Sequence, residues 1–424
     1  MKDFYYFSYL RKTSILDKKT LELIKYELDK KIFLFGDHFN KSYERMNFTK
    51  LKFILSLFFK NLLALKYSKK SNIKNAVLFN ANFYLTPEFQ KKGYELITPE
   101  LYYRTKLSFL GGLSTLNKME LIKYLFVNGD MFYLLSKSFE NKILDLKKEL
   151  KSYIINNDIK ALFLSNDMAF LEKLLISIFK ELNIPTFIFL HGIPTTYNNI
   201  DNNRADYLVV WSDKIKNTYI NIGLDKEKII ISGNPIYSSK KINNLSFNLN
   251  NLLIITHSIT QSPENSEKLI LQERGALLTY LYSIQKVLSS FGIKSVRFRP
   301  HPSENPKWYL KNLDSKFYFL DTQSIDTSIN NSSMVIGPIS TVFFDAIANN
   351  KNYIVYEPLV NNKSAKNFEL VPPFDGSDTR IPVANSESQL ISLIKNKKTV
   401  NKDVLVDYAG GSFNFEKIND IINK

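Results

Sequence analysis

Residues 161 to 190 read ALFLSNDMAFLEKLLISIFKELNIPTFIFL, a short apolar run, a longer stretch of helical periodicity, and a second apolar run. Ala161 to Leu164 and Thr186 to Leu190 have the length and the Phe, Ile and Leu content of buried strands. Between them AFLEKLLISIFKELN repeats its apolar residues every three or four positions, as a packed helix does. A strand that reaches a second strand through a helix of this length makes the two parallel neighbours. The same alternation runs along the chain. Further strands are expected at Lys31 to Phe35, Ala76 to Phe79, Tyr207 to Trp211, Ile229 to Ser232, Leu252 to Thr256, Val296 to Arg299, Phe317 to Leu320, Met334 to Ile336 and Tyr353 to Tyr356. Helical patterns such as NKILDLKKELKSYIIN and GALLTYLYSIQKVLSSFG separate them. The expected fold class is therefore α/β, built on parallel sheets covered on both faces.

At 424 residues the chain is longer than one core normally serves, and 44% apolar content with 14% aromatics is ample for two. The polar stretch SSKKINNLSFNLNNL, residues 238 to 252, marks the expected boundary. It divides the chain into residues 1–240 and 241–424, each a Rossmann-like, doubly wound domain. A last helix is expected to pack back on the first. Two such domains facing across a cleft bind ligands between the carboxyl ends of their strands.

Those strand ends carry the polar residues of interest. ALFLSND ends in Asp167, FIFLHGIP in His191, and LLIITHS in His257 and Ser258. SVRFRPHPSENP, residues 295 to 306, sets His301 between Pro300 and Pro302, two residues after Arg299. Proline stops the strand, so His301 sits on a stiff loop just past its end. That loop is either a binding element or a turn whose histidine caps a neighbouring backbone group. In GPISTVFFDA, residues 337 to 346, Gly337 and Pro338 break a strand, Ser340 is an expected N-cap, and Thr341 to Asn349 can form a helix. Two hydroxyls at a helix start suit an anion, with Asp345 one turn on to accept from a sugar hydroxyl. The plainer reading is an ordinary capped helix.

A histidine and proline just after a strand, followed some forty residues later by a Ser-Thr pair opening a helix, resembles the paired motifs of bacterial sialyltransferases and related GT-B glycosyltransferases that use CMP-activated sugars, Kdo and polysialic acid transferases among them. LHGIPTTYN at 190 to 198 and DYLVVWSDKIKNTYINIGLDKEKIIISGNP at 206 to 235 are similar to segments of capsule-synthesis transferases and of CDP-glycerol polymerases of teichoic acid synthesis. The resemblance covers about residues 160 to 360. It implies a two-domain GT-B fold, an acceptor-binding first domain, a nucleotide-sugar-binding second domain, and a donor phosphate held by His301, Ser340 and Thr341. Pro338-Ile339-Ser340-Thr341 stands where the teichoic acid enzymes carry a Tyr-Ser-Ser-like stretch, which favours a CMP-sugar donor such as sialic acid, Kdo or another nonulosonate.

Displacing a nucleotide from an anomeric carbon needs a base for the acceptor hydroxyl and groups that bear charge on the departing phosphate. Ser258, Arg299, His301 with Pro302, Ser340, Thr341 and Asp345 are the expected donor-binding set. Asp167 and His191 are the expected catalytic pair, with either one as base. No metal or other cofactor is expected, since the chain has no cysteine and its four histidines are widely separated. A CDP-glycerol-type glycerophosphotransferase, an NDP-sugar 2-epimerase and a non-catalytic nucleotide-sugar-binding protein are rival readings on the same fold.

The formal net charge of +16 is spread along the chain without a nucleic-acid-binding motif, so the expected partners are a nucleotide-sugar donor and a glycan or lipid-linked acceptor, with no nucleic acid. MKDFYYFSYLRKTS carries charge and aromatics where a leader needs a continuous apolar core, and a cytoplasmic location is expected. KLKFILSLFFKNLLALKYSKK, residues 50 to 70, is too interrupted to span a bilayer. It reads either as a buried helix of the first domain or as a helix lying on the anionic inner face of a membrane.

Overall fold

The structure, a computed structural model, describes residues 5–33, 50–67, 75–81, 83–99, 108–190, 204–238, 240–256, 269–302, 304, 306–359 and 370–423. Among these residues seven strands form one sheet: β1 Ala76–Asn80, β2 Glu95–Thr98, β3 Ser108–Phe109, β4 Ile159–Leu164, β5 Thr186–Phe189, β6 Tyr207–Val210 and β7 Ile229–Ile231. Their spatial order is β3-β2-β1-β4-β5-β6-β7. Six more, β8 Leu252–Ile255, β9 Val296–Arg299, β10 Tyr318–Leu320, β11 Met334–Gly337, β12 Asn352–Tyr356 and β13 Val383–Ala384, form a second sheet in the order β10-β9-β8-β11-β12-β13. Every pairing in both sheets is parallel. The chain is thus two parallel-sheet α/β units in sequence.

The opening stretch shows why. β4 is buried at every position except Lys160, and β5 is buried throughout, so neither strand can face water. Helix Phe170–Glu181 joins them and buries Leu171, Leu174, Leu175, Ile178 and Phe179. Phe163 and Phe187 stack across β4 and β5 with ring centroids 4.9 Å apart. The pair fixes the register that the backbone ladder continues from Leu162 to Leu164.

One expected strand is corrected. Lys31 to Phe33 form the end of helix Lys18–Phe33, while Phe35 lies outside the described residues. Lys31 Nζ donates to the carbonyl of Val127 at 2.9 Å, so its cation meets the carboxyl end of helix Leu113–Asn128. A short apolar run after a helical pattern continues the helix as readily as it starts a strand. β2, β3 and β13 went unread because they are short edge or near-edge strands of two to four residues.

The chain's last helix, Glu416–Ile422, buries Ile418 and Ile422 against the first sheet, in one cluster with Val77, Phe79, Phe89 and Phe163. Asn414 N donates to Ser232 O at 2.7 Å and Tyr94 Oη to Asn419 Oδ1 at 2.8 Å. The second unit's chain therefore ends on the first unit's core.

Candidate functional site

In a parallel sheet all carboxyl ends lie along one edge, and strand order decides which loops meet there. From β8 the chain winds outward through β9 and β10, then returns to β11 on the other side of β8. The direction reverses between β8 and β11. The loop after β9 carries His301 and the loop after β11 carries Ser340 and Thr341. The two strands stand two spacings apart, about 10 Å, with β8 between them.

His301 and Pro302 are exposed on the loop past β9. The histidine's backbone is fixed, its N–H donating to Thr256 Oγ1 at 3.2 Å and its carbonyl accepting from Glu304 N at 2.8 Å. Thr256 directly follows β8, so this bond ties the two strand ends together. Ser258 lies two residues further on, outside the described residues. Arg299 is engaged to one side: it donates to the Gln323 carbonyl and lies 3.9 Å from Asp321, which also pairs with Arg297 at 2.8 Å. That cluster braces the β9–β10 edge.

The loop past β11 is held from beneath. Tyr353 Oη, on β12, donates to the Pro338 carbonyl at 2.7 Å, and Glu357, just past β12, accepts from Ile339 N at 3.2 Å. Gly337 is required: a Cβ there would collide with Tyr353 Oη and Ile255 Cγ1. Helix Val342–Ala348 starts one residue later than expected, and Ser340 does not cap it in the expected way. Ser340 Oγ instead accepts from Val342 N, two residues on, at 3.3 Å. This local hydroxyl turn competes with a cap at the third helical residue. Thr341 flanks the helix and makes no side-chain cap bond.

Asp345 is turned toward the first unit, its Oδ1 accepting from Tyr237 Oη at 2.8 Å. Around this bond Trp211, Tyr237 and Phe344 pack with ring centroids 5.8–6.2 Å apart. Trp211 follows β6 and Phe344 lies in the helix after β11, so carboxyl-end elements of both sheets meet here. Burial pushes the Asp345 carboxyl above its usual range, Asp326 adds to this, and the tyrosine bond opposes it. Burial likewise raises the Tyr237 phenol, with the facing carboxylate adding to it. A carboxyl raised on folding contributes least stability once pH exceeds its folded value, because it must then ionise in a buried place. Tyr237→Phe removes the donor that eases this ionisation. Its expected cost is about 1–3 kcal/mol, growing as pH rises above the ordinary carboxylate range; urea melts at acid and neutral pH measure it.

In the first sheet the reversal falls between β1 and β4. Asp167, just past β4, is buried, and both its oxygens accept from Arg204 Nη1, at 2.8 and 3.1 Å. Beside β4, Ser165 N donates to the carbonyl of Asn80, the last residue of β1, whose Nδ2 reaches Glu172 Oε1 at 3.2 Å. His191 lies outside the described residues. Its predecessor Leu190 is anchored, donating to Val209 O at 2.9 Å and accepting from Trp211 Nε1 at 3.1 Å. Among the described residues no group of three or more His, Asp or Glu side chains gathers as a metal cage.

The sequence reading missed Tyr353, Glu357, Arg204 and Tyr237. Glu357 directly follows an apolar strand and was open to the same strand-end logic. The others touch the site through space alone, and no local pattern marks them.

No family model and no curated protein matches the chain. Solved structures do resemble it. A UDP-GlcNAc 2-epimerase from Neisseria meningitidis bound to UDP-GlcNAc is 11% identical with a TM-score of 0.47, covering 82% of this chain and 99% of its own. The wall teichoic acid polymerase TagF is 12% identical with a TM-score of 0.42, over 91% and 98%. The lipopolysaccharide outer core galactosyltransferase WaaB is 9% identical with a TM-score of 0.43, over 82% and 98%.

Proposed function

We propose that this chain is a metal-independent GT-B glycosyltransferase that moves a nonulosonic acid from a CMP-activated donor to a surface-glycan acceptor at the cytoplasmic side. The observation that carries the reading is the pairing, across β8, of two strand-end segments whose backbones are held by hydrogen bonds. His301 on one and the Ser340-Thr341 hydroxyls on the other follow strands that lie two spacings apart, about 10 Å, a separation that suits a phosphate and the sugar attached to it. In this reading His301 and the two hydroxyls take the charge that builds on the departing phosphate. Glu357 and Tyr353 position the hydroxyl loop. Asp167, oriented by Arg204, or His191 accepts the proton of the acceptor hydroxyl from the first unit's side.

The reading is tested by incubating the protein with CMP-activated nonulosonates and a glycan acceptor. CMP release in step with acceptor elongation is expected. Glycerol phosphate transfer from CDP-glycerol would support a glycerophosphotransferase instead. A changed sugar on a UDP carrier, formed without acceptor, would point to an epimerase.

A further inference from the structure

Helix Lys50–Tyr67 has two apolar faces, and the fold uses one of them. On its inner side Ala64 is buried, Phe53 stacks on Tyr124 at 4.4 Å, and Lys60 pairs with Glu120 at 2.5 Å, all against helix Leu113–Asn128 or its surroundings. On its outer side Leu51, Leu55, Phe58, Leu62 and Leu65 recur at steps of four and three residues, and each is 50–67% exposed. Such spacing lines them along one stripe. Phe59, 62% exposed, widens it.

A continuous outward stripe of this kind marks an interaction surface. Charge indicates the partner. From Arg45 to Lys74 the sequence carries eight Lys or Arg, of which Lys60 is paired inward with Glu120, and no Asp or Glu. Two copies joined symmetrically along this stripe would set those cations against one another, with no acid in the segment to answer them. An anionic surface with an apolar interior answers both features. Among the described residues no helix is long and apolar enough to cross a bilayer, so the fitting geometry is a helix lying in the membrane plane.

We propose that helix Lys50–Tyr67 docks the protein on an anionic lipid bilayer, its outer stripe entering the headgroup boundary and the basic charge of this stretch of sequence attracting the anionic headgroups. The inference stands independently of the nucleotide reading, since it uses no residue of that site.

The test is co-sedimentation of the full chain with vesicles of phosphatidylcholine alone and of phosphatidylcholine mixed with phosphatidylglycerol. Binding to the mixed vesicles, at least about tenfold stronger than to the neutral ones and weakened by salt, is expected. Phe58→Ser/Phe59→Ser is expected to lower it by about tenfold or more with the thermal midpoint unchanged, because both rings already face outward. Should that variant fold poorly, Leu55→Ser/Leu62→Ser provides the same comparison, and the wild-type response to lipid composition decides alone. Failure to bind, equal binding to both vesicle types, or binding indifferent to the substitutions overturns the proposal. So does a concentration-dependent dimer, seen by sedimentation velocity, that the same substitutions abolish.

Discussion

Replacing His301 with alanine is expected to lower kcat/KM for the CMP-sugar roughly tenfold to two-hundredfold and to leave the thermal midpoint unchanged. The magnitude is that of one charge-assisted hydrogen bond, about 1.5–3 kcal/mol. The fold should tolerate the change because the side chain is exposed, and the loop's own bonds, to Thr256 Oγ1 and from Glu304 N, are made by the backbone that alanine keeps. Ser340→Ala is expected to act on the same phosphate, so the double variant should lose less than the sum of the two single effects. Asp167→Asn should differ in kind, reducing turnover with donor affinity nearly unchanged. A histidine that merely finishes a turn predicts unchanged donor kinetics.

Phe89→Ala is expected to be the most destabilising of these changes, at about 3–5 kcal/mol. Phe89 is fully buried, with its ring centroid 4.5 Å from that of Phe163, 4.7 Å from Phe415 and 5.2 Å from Phe79, in edge-on contacts. Phe163 and Phe79 belong to the first sheet, whereas Phe415 leads into the last helix. Removing the ring leaves a void where the first sheet meets the segment leading into helix Glu416–Ile422. Urea melts should show the loss, and limited proteolysis should release the C-terminal segment earlier than in the wild type.

Much of the fold could be read because buried parallel strands advertise themselves. ALFL, FIF, LLII and MVI are continuous apolar runs between helical patterns, and each lies within a strand. Edge strands such as Ser108–Phe109 carry too few residues for any periodicity, and the run after Lys31 shows that an apolar stretch alone does not choose between helix and strand. Placement past a strand end was legible where a polar residue follows such a run, as His301 and Asp167 do. The site was opaque where the partner arrives from a distant element. Arg204 meets Asp167 from 37 residues away, and Tyr237 meets Asp345 from 108. Tyr353 sits inside a buried strand, where its ring looks like core and only its hydroxyl, bonded to Pro338 O, serves the loop.

The central claim, a donor site for a cytidine nucleotide on the second unit, is tested most directly by thermal unfolding with CMP, CDP, UDP and GDP in turn. A ligand that binds only the folded chain stabilises it by about 2.7 kcal/mol at a hundred times its Kd, so affinity is read as a shift of the midpoint. CMP should raise the midpoint of the wild type, and His301→Ala should reduce that rise. A midpoint raised by UDP or GDP, and by neither cytidine nucleotide, would contradict the account.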